Sequence, residues 1–142
     1  MGTKKPRILL ACAPEPYTRL FAILSGRELT FVSTLTDAHA ALKADHFDMI
    51  MIGVHFDESR MFDLLRYVRA DAKYDRVPVV CFRGITVPNA KGKVVLEAVE
   101  VACKAMGANA FFDLMGFADD TVGNAAVRKI IDGFLESEQN GR

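Results

Sequence analysis

The chain carries no excess of charge of either sign: Lys and Arg number 18, and Asp and Glu number 18. With a formal net charge of +0, no overall field draws the molecule onto nucleic acid or an anionic membrane. Long hydrophobic runs are missing too. None approaches the roughly 18 apolar residues needed to span a bilayer, and the polar, basic start from Met1 to Pro6 lacks the apolar core of a signal peptide. Together these predict a cytoplasmic protein whose partners are neither nucleic acid nor membrane. Cysteine is scarce, and Cys12, Cys81 and Cys103 are spaced too widely for a zinc pattern. Cys12 and Cys81 sit in apolar, strand-like runs and read as ordinary buried thiols. His39, His46 and His55 are too scattered for a ligand set, so no metal or cofactor is expected. No repeat, linker or low-complexity stretch divides the 142 residues, a length that suits one domain with one core. The expectation is a single domain over 1–142, with its core at about 7–135 and a polar, fraying tail over 136–142.

What the chain does have is apolar residues, at 51%, in the pattern of a sheet covered on both faces. The stretch Phe47-Asp48-Met49-Ile50-Met51-Ile52-Gly53 is the clearest. Four consecutive large apolar residues entered by an acid and left through a glycine suit a short strand buried on both sides. A polar loop follows, and then Met61, Leu64, Leu65 and Val68 recur at helical spacing. Strand, loop and helix alternate through the rest of the chain. Strands are predicted over 7–13, 28–35, 77–82 and 109–114. Helices are predicted from about Pro16 to Ser25, from a cap at Thr36 or Asp37, over about 59–72 and 94–106, and from a cap at 119–121. Helix four is expected to face inward with Val95, Ala98, Val99, Ala102 and Met106. Helix five carries a wide stripe, Val122, Ala126, Val127, Ile130, Ile131 and Phe134. Five strands alternating with five helices predict an α/β, flavodoxin-like (βα)5 doubly wound parallel sheet of order 2-1-3-4-5.

In order and spacing, several segments resemble the receiver domain of bacterial two-component response regulators over Arg7 to about Leu135. They are Glu15-Pro16-Tyr17-Thr18-Arg19, Ala38 to Leu42, Phe47 to Ile52, Leu64 to Arg69, Val77-Pro78-Val79-Val80 and Gly107 to Phe111. The resemblance implies an aspartate phosphorylated at the end of strand three, a magnesium site with an acidic pair after strand one, a hydroxyl residue after strand four and a lysine after strand five. Clustered carboxylates would hold the hard cation, and cation and lysine would neutralise the phosphoryl group. This chain departs at each position. The phosphoacceptor falls on Gly53, and the acidic pair on Cys12-Ala13 or Ala13-Pro14. The hydroxyl position falls on Arg83 and the lysine on Leu114. The resemblance therefore implies a degenerate receiver, non-enzymatic, that signals through protein contact. Its partner would be another protein or a second copy, met through the helix-four, strand-five and helix-five face.

Two further readings attach to particular residues. Asp57 and Glu58 lie just past Gly53, and Glu15 follows strand one, so Asp57 is a candidate substitute phosphoacceptor. Against this, Asp57 or Ser59 is expected to cap helix three. Arg83, Lys91 and Lys93 flank the long loop after strand four, just before a helix, where an anion or nucleotide could bind. A P-loop match fails, since Val87 stands where glycine is required and no Ser or Thr follows Lys93.

Overall fold

The computed structural model describes the backbone of residues 5–85 and 92–140, and the side chains of these except 92–94 and 137–140. The run Met49–Gly53 is a strand, β3, and every residue in it is buried. It lies mid-sheet between β1 (Arg7–Ala11) and β4 (Val79–Arg83), parallel to both. β2 (Glu28–Val32) flanks β1, and β5 (Ala110–Asp113) flanks β4. The order is 2-1-3-4-5, as expected for the flavodoxin-like arrangement.

Strand periodicity decides which side each residue serves. Met49 and Met51 pack with Leu20, Ile23 and Leu24 of α1 (Pro14–Ile23 and its cap) and with Val127, Ile131 and Leu135 of α5 (Thr121–Asn140). Ile50 and Ile52 pack with α2 (Leu35–Ala44), α3 (Met61–Ala70) and α4 (Gly92–Ala105). Full burial of each such side chain contributes about 1.5–3 kcal/mol, so the strand is held equally by both layers. Gly26 (φ 90°) and Gly107 (φ 106°) take the left-handed conformation just past α1 and α4, as predicted for helix-ending glycines.

Several boundaries differ from expectation. Strand two stops at Val32 because Thr34, rather than Thr36 or Asp37, caps α2, its side chain accepting from the Asp37 N–H at 3.1 Å. α1 begins at Pro14, where a missing N–H costs nothing. β4 begins at Val79, two residues late, and α5 runs on to Asn140, so the predicted tail is helical over most of its length. The inward face of α4 holds in part, with Val99 and Met106 packed against the core. Cys103 is fully buried, whereas Val95 is 58% exposed and Ala98 is exposed. Val122, assigned to the α5 core stripe, is 80% exposed.

Two clamps tie α3 and the short 3-10 turn Ala72–Tyr74 to their surroundings. The Arg69 fork donates to the carbonyls of Tyr74, Val77 and Gly107 and to Asn109 Oδ1, at 2.8–3.1 Å. Asn109 Oδ1 also accepts from the Val79 N–H at 2.9 Å, so one guanidinium organises the entries to β4 and β5. The fully buried Tyr74 reaches the Leu42 and Asp45 carbonyls at 2.7 and 2.8 Å, closing the end of α2. Burial, with the negative charges of Asp71 and Asp45 adding, pushes the Tyr74 hydroxyl up to about 12. The folded chain thus favours the neutral phenol. Its contribution is complete below the unfolded value of about 10 and is lost as pH rises from there towards 12. Tyr74→Phe is expected to cost about 0.5–1.5 kcal/mol at neutral pH, because Lys73 Nζ also donates to both carbonyls. Thermal melting of parent and variant should converge as pH rises from about 10 to 12; a gap that stays constant would contradict this assignment.

Candidate functional site

In open α/β sheets ligands gather at the carboxyl ends of the strands, which here brings together the chain after β1, Gly53 at the end of β3, and Arg83-Gly84 after β4. Gly53 pairs in register with Phe82. A Cβ placed on it would lie 3.1 Å from the Cβ of Cys12 and 3.3 Å from Phe82 Cζ, inside the 3.5–4.0 Å optimum for carbon pairs. Cys12 continues β1, its N–H donating to the Val32 carbonyl at 3.2 Å, and both Cys12 and Phe82 are fully buried. The same layer closes over β4. Pro16, buried in the first turn of α1, abuts Gly84 so closely that a Cβ there would fall 2.6 Å from the proline Cβ. Cys12 and Phe82 therefore crowd Gly53 with carbon, as Pro16 and Phe82 crowd Gly84.

The chemistry of this edge is correspondingly muted. Burial, with Glu15 adding, pushes the Cys12 thiol up to about 12, so at neutral pH it is neither a thiolate nucleophile nor a metal ligand. Ala13 is the cap residue of α1 and has no polar side chain to offer. Leu114, at the position where the resemblance expects a lysine, is buried among the residues facing α1 and α5. Arg83 stands opposite Asp113 in the β4–β5 register. It forms a two-pronged pair, Nε to Oδ1 and Nη2 to Oδ2, both 2.8 Å, a fork geometry that holds guanidinium and carboxylate firmly. The cation proposed for an anion site is thus already neutralised by a neighbouring strand. Lys91 lies outside the described residues, as does the side chain of Lys93.

The acids after β3 do not converge. Asp57 Oδ2 accepts from the Leu35 N–H at 2.8 Å, so this carboxylate serves the start of α2. α3 begins after Arg60 without a side-chain cap, which corrects the expectation that Asp57 or Ser59 caps it. Asp57, Glu58 and Ser59 all have positive φ (42°, 55° and 70°), at a cost on the order of 1–2 kcal/mol each. No glycine in the stretch signalled that turn. Among the described residues, no three of His, Cys, Asp and Glu are placed to hold a metal ion. The histidines stand apart, His39 stacked on Tyr67 and His46 on Tyr74.

Arg19, which the sequence offered only as part of the resemblance, has a role of its own. From α1 it donates to the carbonyls of Leu114, Phe117 and Ala118 and to Asn124 Oδ1, at 2.8–3.0 Å. It thereby fixes the β5–α5 connection from partners about a hundred residues away, and nothing local could have revealed it. A cavity of about 330 Å³ lies at the opposite edge of the sheet, between Pro6, Arg27, Arg128 and Asp132. Arg27 and Arg128 are both paired with Asp132 there. Among the described residues no helix is long and apolar enough to cross a membrane.

No family model matches the chain, and no curated protein matches it in sequence. Solved structures do match in shape. A putative response regulator from Chloroflexus aurantiacus superposes with a TM-score of 0.71 at 14% identity, covering 94% of this chain and 99% of that one. The signal receiver domain of an HD domain-containing protein from Pseudomonas fluorescens gives 0.72 at 18%, covering 100% and 95%. The receiver domain of a sensor histidine kinase from Pseudomonas aeruginosa, solved with magnesium coordinated in its active-site cleft, gives 0.68 at 21%, covering 94% and 99%. At these identities the likeness is one of architecture, and this chain has the receiver form of the flavodoxin-like fold.

Proposed function

We propose that the chain is a pseudo-receiver: a non-catalytic signalling module, not phosphorylated at the end of β3, that acts by contact with another protein or a second copy. The observation that carries this reading is the packing around Gly53. Phosphoryl transfer onto a carboxylate needs an oxygen nucleophile, a hard cation held by oxygen ligands, and room for the phosphoryl group. Around Gly53 that space is crowded by Cys12 and Phe82, with Pro16 against nearby Gly84. A cation there would meet a neutral thiol and carbon, which are poor ligands for magnesium. The proposed module needs no cofactor.

Contact with a partner is supported by the outward side of α4. Val95 is 58% and Val101 69% exposed, with Ala98 and Ala105 exposed on the same side. Met115 and Val122, at the β5–α5 connection, are exposed as well. Apolar side chains grouped along one helix, beside an edge strand and a further helix, are what a protein interface uses.

Two outcomes follow. Gly53→Asp, restoring a carboxylate at the β3 terminus, should destabilise the chain by about 1–3 kcal/mol from overpacking alone, with the charge adding to that loss. Chemical denaturation that finds it as stable as the parent would mean the space is not filled. The double variant Val95→Glu, Val101→Glu should leave the melting temperature within a few degrees of the parent, as expected for exposed positions, while abolishing self-association in sedimentation velocity. A parent that is monomeric at every concentration would exclude the second copy, and a variant that still associates would exclude α4.

A further inference from the structure

We propose that the turn after β3 is a two-state switch, in which the Asp57 carboxylate passes from the start of α2 to the start of α3. The turn is pinned at both ends and strained between them. Phe56 is fully buried and Met61 is 1% exposed, both in the core that β3 shares with α2 and α3. Phe56 N–H donates to the Gly53 carbonyl at 3.0 Å, and the Phe56 carbonyl accepts from the Arg60 N–H at 2.7 Å. That second bond closes a loop of Asp57, Glu58 and Ser59, all left-handed and none a glycine. A side chain in this conformation crowds the following carbonyl oxygen, so such a run persists only where its surroundings impose it.

Two helix starts compete for the one carboxylate. Asp57 Oδ2 now accepts from the N–H of Leu35, the first residue of α2, at 2.8 Å. That helix already has a cap in Thr34, whose side chain takes the Asp37 N–H. α3 has no side-chain cap, and its first helical bond is Leu64 N–H to the Arg60 carbonyl at 3.2 Å. In the second state Asp57 takes the extended conformation of an N-cap, and Glu58, Ser59 and Arg60 turn right-handed and lengthen α3 by almost one turn. The Arg60 N–H passes from the Phe56 carbonyl to the Asp57 carboxylate. Glu58 enters the first turn, where negative charge is favoured. The strain is released, and the Leu35 N–H and Phe56 carbonyl are left to water. The exposed tip Glu58-Ser59-Arg60 thus changes shape at the carboxyl edge of the sheet, and the start of α2 loosens in the same step. The switch needs neither a partner nor the α4 surface.

The test is amide relaxation dispersion on the full chain, with two variants that bias the turn in opposite directions. In the parent, Leu35, Ser59 and Arg60 are expected to exchange at one common rate in the microsecond to millisecond range. Ser59→Gly favours the left-handed turn. It should raise the melting temperature by a few degrees and quench the dispersion at all three amides. Glu58→Pro forbids that turn but suits the first position of a helix. It should give Ser59 and Arg60 helical Cα shifts and speed hydrogen exchange at Leu35 at least tenfold. Flat or unrelated dispersion in the parent would overturn the switch. So would a lowered melting temperature in Ser59→Gly, or a folded Glu58→Pro that protects Leu35 as the parent does. If Glu58→Pro does not fold, the parent and Ser59→Gly decide the matter.

Discussion

The close packing of Cys12 and Phe82 on Gly53 is the constraint around which the carboxyl edge of this sheet is arranged. Parallel strands normally splay there into loops that carry polar chemistry, because the edge is where backbone and solvent meet. Here the absence of a side chain on β3 lets the residue after β1 and the aromatic ring on β4 crowd the place a Cβ would take. Pro16 and Gly84 extend that contact into a lid of apolar atoms. Closure in turn determines what the polar residues nearby can do. Arg83 is met by Asp113 of the neighbouring strand. Asp57, turned outward, satisfies the start of α2.

Arginine is the recurrent solution to the remaining polar demands. Arg19 and Arg69 each place several donors on carbonyls from segments far apart in sequence, which a planar five-donor fork does better than an ammonium. Burial lowers the pKa of Arg69, but a guanidinium starts so high that it stays charged. Several basic residues are thus committed internally or to local carboxylates, as Arg27 is to Asp132. That fits a chain with balanced charge and no field reaching outward.

The fold was legible because its signals are local. β3 announced itself as a continuous apolar run, α3 by Met61, Leu64, Leu65 and Val68, all of them buried, and the two helix ends by Gly26 and Gly107. The phase of α4 was legible only in part. Apolar residues surround that helix from Val95 to Ala105, so periodicity alone could not choose between the Val95–Ala98 side and the side that carries Cys103. A helix whose outward side is also apolar looks in sequence the same on both sides. At the candidate site, Gly53 and Ala13 carry no carboxylate and Leu114 no amine, and an absent functional group is a fact of composition. What replaced those groups could not be read from the sequence. The Arg83–Asp113 pair depends on strand register, the Asp57 cap on a left-handed turn without glycine, and the Arg19 clamp on tertiary proximity.

The central claim is that the carboxyl end of β3 is closed to cation and phosphoryl group alike. Amide chemical shifts followed during a titration with magnesium and then beryllofluoride report on that space directly. Unchanged positions for Cys12, Ala13, Gly53 and Arg83 through both additions are predicted. Saturable shifts centred on those four amides would contradict the account.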